Sequence, residues 1–227
     1  MKASLAPADA FSVLVHELAH ELLHCDPANR PKERTVREAE AEAAAALRRR
    51  AQAALPGRTS DGCKVEIAAN IGHPDEMAGA WALGAEGVGL FRTEMILMGR
   101  AEAPSEDEQL ELYARAARES GGRPVIIRTF DIGGDKPLPY LSLPAERNPF
   151  LGLRGVRAYE RFDGLIRAQV RAILRAAVHG PLKIMVPMVG LLDELVRFKT
   201  LVGEAAAELA ARSIPHRAGI EVGIMVE

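Results

Sequence analysis

Short apolar runs, rich in β-branched residues, recur from about residue 60 onward and alternate with segments whose apolar positions follow a helical repeat. Runs that are apolar throughout are typical of parallel strands buried on both faces of a sheet. The predicted strands are Val65–Ala69, Gly87–Leu90, Val125–Thr129, Lys183–Val186 and Val222–Val226. The predicted helices are Pro74–Leu83, Ser105–Ser120, Gly164–His179 and Leu192–Ala211. Strands that alternate with helices favour an α/β fold, with a parallel sheet or an α/β barrel.

The first 55 residues lack this alternation and form a separate predicted segment in front of a domain of residues 60–227. One helix is predicted from Phe11 to His24, because prolines follow it. A second helix begins at Thr35, which forms a capping-box pattern with Glu38. The sequence therefore predicts an N-terminal α-helical pair followed by an α/β domain.

The composition excludes several function classes. The formal net charge is −2, which gives no broad positive surface for nucleic acid or for a membrane. No run of about 18 apolar residues occurs, so a membrane-spanning helix is not expected. Cys25 and Cys63 form no metal-binding or redox spacing, which favours the reducing cytoplasm as the location.

Two of the predicted strands deliver an arginine at their C-terminal ends, Arg92 in one case and Arg128 in the other. A desolvated guanidinium needs an anionic partner, and its planar fork of donors suits phosphate and carboxylate groups. The pattern predicts a site for a small phosphorylated or carboxylated metabolite. The alternative is a structural ion pair of either arginine with Glu94 or Asp131.

Six motifs, taken together and in this order, resemble the C-terminal domain of enzyme I, the phosphoenolpyruvate–protein phosphotransferase of the sugar phosphotransferase system. The resemblance extends from about residue 60 to residue 227. The motifs are Ala69-Asn-Ile-Gly72, Gly84-Ala-Glu-Gly-Val-Gly-Leu-Phe-Arg-Thr-Glu94, Arg128-Thr-Phe-Asp-Ile-Gly-Gly-Asp-Lys136, Asn148-Pro-Phe-Leu-Gly-Leu-Arg154, Met185-Val-Pro-Met188 and Gly223-Ile-Met-Val-Glu227.

The resemblance implies a (β/α)₈ TIM barrel that binds phosphoenolpyruvate at the C-terminal ends of its strands. It assigns phosphate binding to Arg92 and Arg128, and Mg²⁺ binding to Glu227. In the family the phosphoryl group moves to a histidine on a separate domain and then to a histidine-containing phosphocarrier protein. The resemblance also implies a cytoplasmic homodimer formed through the barrel domain.

The chain holds only part of the family's pattern. About five of the eight strands of the barrel are predicted. The second magnesium carboxylate, its neighbouring asparagine, a further phosphate arginine, the proton-donor cysteine and the phosphohistidine domain have no counterpart in this sequence. We therefore expect a partial barrel that binds phosphoenolpyruvate but is incomplete for phosphotransfer. Its open edges lead us to expect self-association, and a non-catalytic self-associating fragment is an alternative function.

A second alternative comes from the motif His16-Glu17-Leu18-Ala19-His20. On a helix the two histidines lie on one face and could share one Zn²⁺, with Glu17 as general base. Residues 11–42 resemble the active-site helix pair of ImmA/IrrE-like metallopeptidases. That resemblance implies a third zinc ligand on the next helix, either Glu42 or Glu40.

Overall fold

The computed structural model describes residues 57–133, 140–141, 147–148 and 150–226. Gly57 is the first residue of the compact unit to which these residues belong. The predicted helical pair with its HExxH motif lies outside the described residues, and so does Glu227. The division into segments 1–55 and 60–227 stays a prediction.

Five parallel strands form one sheet, in which the order of the strands along the chain is also their order in space. They are β1 (Ala68–Ile71), β2 (Gly87–Arg92), β3 (Val125–Arg128), β4 (Leu182–Val186) and β5 (Val222–Ile224). All four neighbouring pairs are parallel. The predicted α/β fold with a parallel five-stranded sheet is confirmed, and this sheet is compatible with part of a TIM barrel.

Four α-helices connect the strands: α1 (Met77–Ala82), α2 (Glu106–Glu119), α3 (Asp163–Ala176) and α4 (Leu192–Ala211). A 3₁₀ turn at Pro74–Glu76 precedes α1, so the predicted helix over Pro74–Leu83 is divided in two. A capping box begins α2: the Ser105 hydroxyl accepts from the backbone N–H of Glu108, whose carboxylate accepts from the backbone N–H of Ser105.

The two faces of the sheet differ in how deeply their side chains are buried. Phe91 of β2 is fully buried and packs edge-to-face against Tyr113 of α2, with ring centroids 6.0 Å apart. Ile127 is the register partner of Phe91, and it is also fully buried, on this helix-covered face. Side chains alternate along a strand, so Ile126 and Arg128 lie on the opposite face. We call that opposite face the open face, because Ile126 and Met185 are only half-buried there.

The predicted strand boundaries are wrong at the two edges of the described sheet. The first strand was expected at Val65–Ala69, but it begins at Ala68, which pairs with Gly87 of β2. Val65 and Ile67 precede the ladder and are exposed. At the other edge, the expected strand Val222–Val226 ends two residues earlier, at Ile224, and Val226 is 88% exposed.

Candidate functional site

Arg92 and Arg128 are the last residues of β2 and β3 and are register partners in the ladder between these strands. Partners in a parallel ladder project to the same face of the sheet. The register therefore brings the two residues together at the C-terminal edge, on the open face. Their environments differ, because Arg92 is exposed whereas Arg128 is only 8% exposed.

Arg128 is held by two buried carboxylates. Its Nη2 donates to Oε1 of Glu94, whose side chain is also buried. Its Nη1 lies 3.6 Å from Oδ2 of Asp131 and 3.7 Å from the sulfur of Met225. The ion pair that the sequence left open as an alternative is therefore present, with both of the expected carboxylates. These ion pairs leave one nitrogen of the guanidinium without a contact. The buried Nε of Arg128 has no hydrogen-bond partner among the described residues.

Asp131 also binds a second arginine, Arg154, which the sequence analysis did not place among the phosphate ligands. The pair is bidentate, with Nε to Oδ1 and Nη2 to Oδ2 both at 2.9 Å. The guanidinium of Arg154 also stacks on the ring of Phe150, 4.5 Å from its centroid. Only the position of Arg154 at the end of a family motif could have pointed to it, because 23 residues separate it from Asp131.

Glu94, Arg128, Asp131 and Arg154 form a buried chain of alternating charges, which we call the charge chain. Its four formal charges cancel. Arg92, beside Arg128 in the ladder, adds one positive charge at the surface of the site. An exposed guanidinium next to a buried, charge-balanced one is suited to take up an anion from solution.

A glycine allows the loop after β3 to approach Arg154. Gly133 has a φ of 127°, which favours glycine, and a Cβ there would come within 2.7 Å of the carbonyl oxygen of Leu153. The neighbouring backbone N–H of Gly155 donates to the carbonyl of Ile132 at 3.1 Å. These contacts hold Asp131 and Arg154 against each other.

Tyr159 supports the same loop from the helix side. Its hydroxyl lies 2.6 Å from Thr129 Oγ1 and 3.0 Å from the carbonyl oxygen of Phe130. Burial raises the pKa of the Tyr159 hydroxyl far above its ordinary value, so the phenol stays neutral. It acts as an uncharged anchor for the two residues that follow Arg128.

The described residues contain no cluster of three or more His, Cys, Asp or Glu side chains that could hold a metal ion. Glu94 and Asp131 lie at the strand ends, but both are engaged with arginines. By themselves these carboxylates do not fit a magnesium site. The predicted ligands Glu227, His16, His20 and Glu42 (or Glu40), and the predicted base Glu17, lie outside the described residues.

A cavity of about 380 Å³ is lined by residues of the 3₁₀ turn at Gly155–Ala158, of helices α3 and α4, and by Tyr159 and Glu160. Arg167 in its lining binds Asp163 and Glu204, and Arg197 binds Glu160. The lining carries four acidic and three basic side chains, so the cavity has no excess positive charge of the kind found at Arg92. Among the helices that the structure describes, none combines the length and the apolar character needed to cross a membrane.

Comparison with known proteins gives the same assignment as the motifs. The family described as "PEP-utilising enzyme, PEP-binding domain" matches residues 46–227. The chain is 52% identical over 169 residues to the phosphoenolpyruvate-protein phosphotransferase of Geobacillus stearothermophilus, over 74% of the chain and 29% of that protein. It is 45% identical over 201 residues to the protein of the same name from Priestia megaterium, over 87% of the chain and 35% of that protein.

A third relative is multiphosphoryl transfer protein 2 of Escherichia coli (strain K12), which is 51% identical over 170 residues, or 75% of the chain and 20% of that protein. The chain thus spans 35% or less of the length of these three relatives. The family match covers most of the chain and includes both strand-terminal arginines. The chain belongs to the PEP-utilising enzymes, through their PEP-binding domain.

Proposed function

We propose that this chain supplies the phosphoenolpyruvate-binding part of a phosphoenolpyruvate–protein phosphotransferase, and that Arg92 and Arg128 bind the phosphate. The observation that carries the proposal is the register pairing of these two arginines at the C-terminal edge of the sheet. The buried Nε of Arg128, which has no hydrogen-bond partner among the described residues, is a donor available to an anion.

The two arginines have different tasks in this proposal. Arg92 is exposed and meets the anion first. Arg128 is fixed by Glu94 and Asp131, so its position is set before the ligand arrives. A guanidinium held in place loses little conformational freedom on binding, and this favours affinity. The guanidinium groups would also offset negative charge on a phosphoryl group during transfer.

Phosphoenolpyruvate binding by the whole chain tests the proposal, and calorimetry is a suitable assay. Arg92→Met removes an exposed guanidinium that has no ion pair with the described residues, so the fold should be preserved. We expect it to weaken binding by about 1.5–3 kcal/mol, the usual contribution of a hydrogen bond to a charged group. Arg197→Met is the matched control, because Arg197 is an exposed arginine of α4 that pairs with Glu160.

Equal affinities of wild type and Arg92→Met would refute the assignment of Arg92. A wild-type chain that does not bind phosphoenolpyruvate at all would refute the function itself. The control variant should bind like the wild type.

The cofactor and partners of this proposal follow from the family. Mg²⁺ would be held with the help of Glu227 and would supply positive charge to the phosphoryl donor. The acceptor of the phosphoryl group would be a histidine, and then a histidine-containing phosphocarrier protein in the cytoplasm. Isotopically labelled phosphoenolpyruvate, mixed with the chain and the phosphocarrier protein, tests transfer directly. Label on the phosphocarrier protein would support transfer, and an unlabelled phosphocarrier protein would contradict it.

Self-association, including the homodimer that the family implies, is a second proposal, and one observation favours it. Ile126 and Met185 lie on the open face of the sheet and are only half-buried, while Ile224 of the edge strand β5 is 40% exposed. Apolar faces and edges of this kind promote association. Sedimentation velocity over a range of concentrations tests it. A monomer at all concentrations would contradict this proposal without affecting the first.

A further inference from the structure

The side chain of Gln169, on α3, is completely buried behind the sheet and uses both ends of its amide. Its Oε1 accepts from the backbone N–H of Phe130 at 3.0 Å. Its Nε2 donates to Thr93 Oγ1 at 3.0 Å and to the hydroxyl of Tyr113 at 3.1 Å. The backbone N–H of Phe130 can only donate, so it determines which end of the amide is the oxygen.

These hydrogen bonds reach the residues that follow the two arginines. Thr93 comes directly after Arg92, and its hydroxyl donates to the carbonyl oxygen of Arg128 at 2.7 Å. Phe130 is the second residue after Arg128. Gln169 therefore joins the ends of β2 and β3 to each other and to α3. It does so at the level of the ladder where Arg92 and Arg128 are partners.

The network continues into α2 through Tyr113 and Gln109. The hydroxyl of Tyr113 donates to Gln109 Oε1 at 3.3 Å, and Gln109 Nε2 donates to the carbonyl oxygen of Pro104 at 3.2 Å. Burial raises the pKa of the Tyr113 hydroxyl, so it keeps the proton that it donates. A buried network with matched donors and acceptors specifies one arrangement of the backbone around it.

We propose that Gln169 is a positioning residue for anion binding, which fixes the spacing of Arg92 and Arg128 from the opposite side of the sheet. This inference rests on the proposed function of the two arginines. Gln169 acts through the backbone, because α3 covers the helix side whereas the arginines project from the open face. The role requires an amide: a carboxylate lacks the two N–H donors, and a thioether of similar length has no N–H donor and is only a weak acceptor.

The test compares Gln169→Met with Val170→Ala in the full chain. Val170 is buried on the same helix, so its truncation lowers stability without touching the network. Dissociation constants for phosphoenolpyruvate are measured where urea unfolding shows each variant to be folded. We expect Gln169→Met to weaken binding by about threefold to tenfold, the range that one neutral hydrogen bond supports. Val170→Ala should bind like the wild type.

A second pair of variants covers the case in which Gln169→Met does not fold. Thr93→Ser keeps the hydroxyl that accepts from Gln169 and should retain the affinity. Thr93→Val removes the hydroxyl and should lose affinity as Gln169→Met does. If these residues only stabilise the fold, the affinity of each variant should follow its free energy of unfolding and should not depend on whether the hydroxyl or the amide is present.

The outcomes separate the inference from the proposed function. If the wild type binds phosphoenolpyruvate and both Gln169→Met and Thr93→Val bind it equally well, the positioning role is wrong and the arginine site stands. If Val170→Ala loses as much affinity as Gln169→Met, the positioning role is also wrong. A wild-type chain that does not bind phosphoenolpyruvate overturns both.

Discussion

Removal of Arg128 is the most informative perturbation of the charge chain. Its side chain is 9% exposed and that of Glu94 is 3% exposed, so the ion pair between them is shielded from water. Arg128→Met fills a similar length with apolar atoms but leaves the Glu94 carboxylate without this cation. Asp131 is affected less, because it keeps its bidentate pair with Arg154.

The expected cost is that of breaking a buried ion pair from one side. Such a change lowers the free energy of unfolding by about 3–5 kcal/mol, because the buried carboxylate loses the attraction of this cation. Glu94→Gln in the same background removes that charge and keeps the shape. The double variant Arg128→Met/Glu94→Gln should therefore be more stable than Arg128→Met alone by at least about 1 kcal/mol, since well-packed neutral replacements of buried pairs are often tolerated.

Urea unfolding of the four members of the cycle measures the coupling, provided that the slope against denaturant is unchanged. The exposed pair Arg197–Glu160 serves as the control, because its atoms are 2.7 Å apart but its side chains are 63% and 80% exposed. A cycle on that pair should give less than about 1 kcal/mol of coupling. Equal coupling in the two cycles, or a double variant no more stable than Arg128→Met, would refute the argument from burial.

Three further predictions concern other parts of the chain. The guanidinium of Arg100 is the chief cause that lowers the pKa of Glu108 from 4.5 to about 2. The stabilising contribution of the Glu108 carboxylate is therefore present above pH 4.5 and is lost as the pH falls toward 2. Acid unfolding curves of Glu108→Gln should lack this loss of stability. Gly133→Ala should lower the free energy of unfolding by about 1–3 kcal/mol in urea melts. The added Cβ would occupy a left-handed backbone conformation and would press against the carbonyl oxygen of Leu153. A variant as stable as the wild type would contradict this. Elemental analysis should find zinc in the wild type and not in His16→Ala if the HExxH motif is a metal site, and a metal-free wild type would end that hypothesis.

The central strands could be predicted from the sequence because their residues are almost all apolar. The predicted β3 and β4 agree with the structure to within one residue, since every residue from Val125 to Ile127 is apolar and β4 is apolar apart from Lys183. The edge strand β1 could not be placed as well. Val65 and Ile67 look like strand residues, but they lie before the first pairing with β2 and are exposed, and only the partner strand determines that.

The position of the two arginines at the ends of the strands could be predicted, but their ion pairs could not. Arg92 and Arg128 are marked by their positions after apolar runs, which is a local signal. Glu94 and Arg128 form an ion pair although they are 34 positions apart in the sequence. Asp131 and Arg154 do so across 23 positions. Single-sequence patterns carry no information on such distances, so both carboxylates remained alternatives.

The register of β2 and β3 explains why two arginines in equivalent positions have different surroundings. Both end their strands on the open face, but the charge chain forms around Arg128 alone, because Glu94 and Asp131 both reach it. Arg92 gains no ion pair within the part of the chain that the structure describes and remains exposed. A ligand bound by both arginines would therefore accept hydrogen bonds from two different kinds of donor. Arg128 is fixed and charge-balanced, whereas Arg92 is adjustable and carries the excess positive charge. Substitution of Arg92 should then act mainly on anion affinity, whereas substitution of Arg128 should act on both affinity and stability.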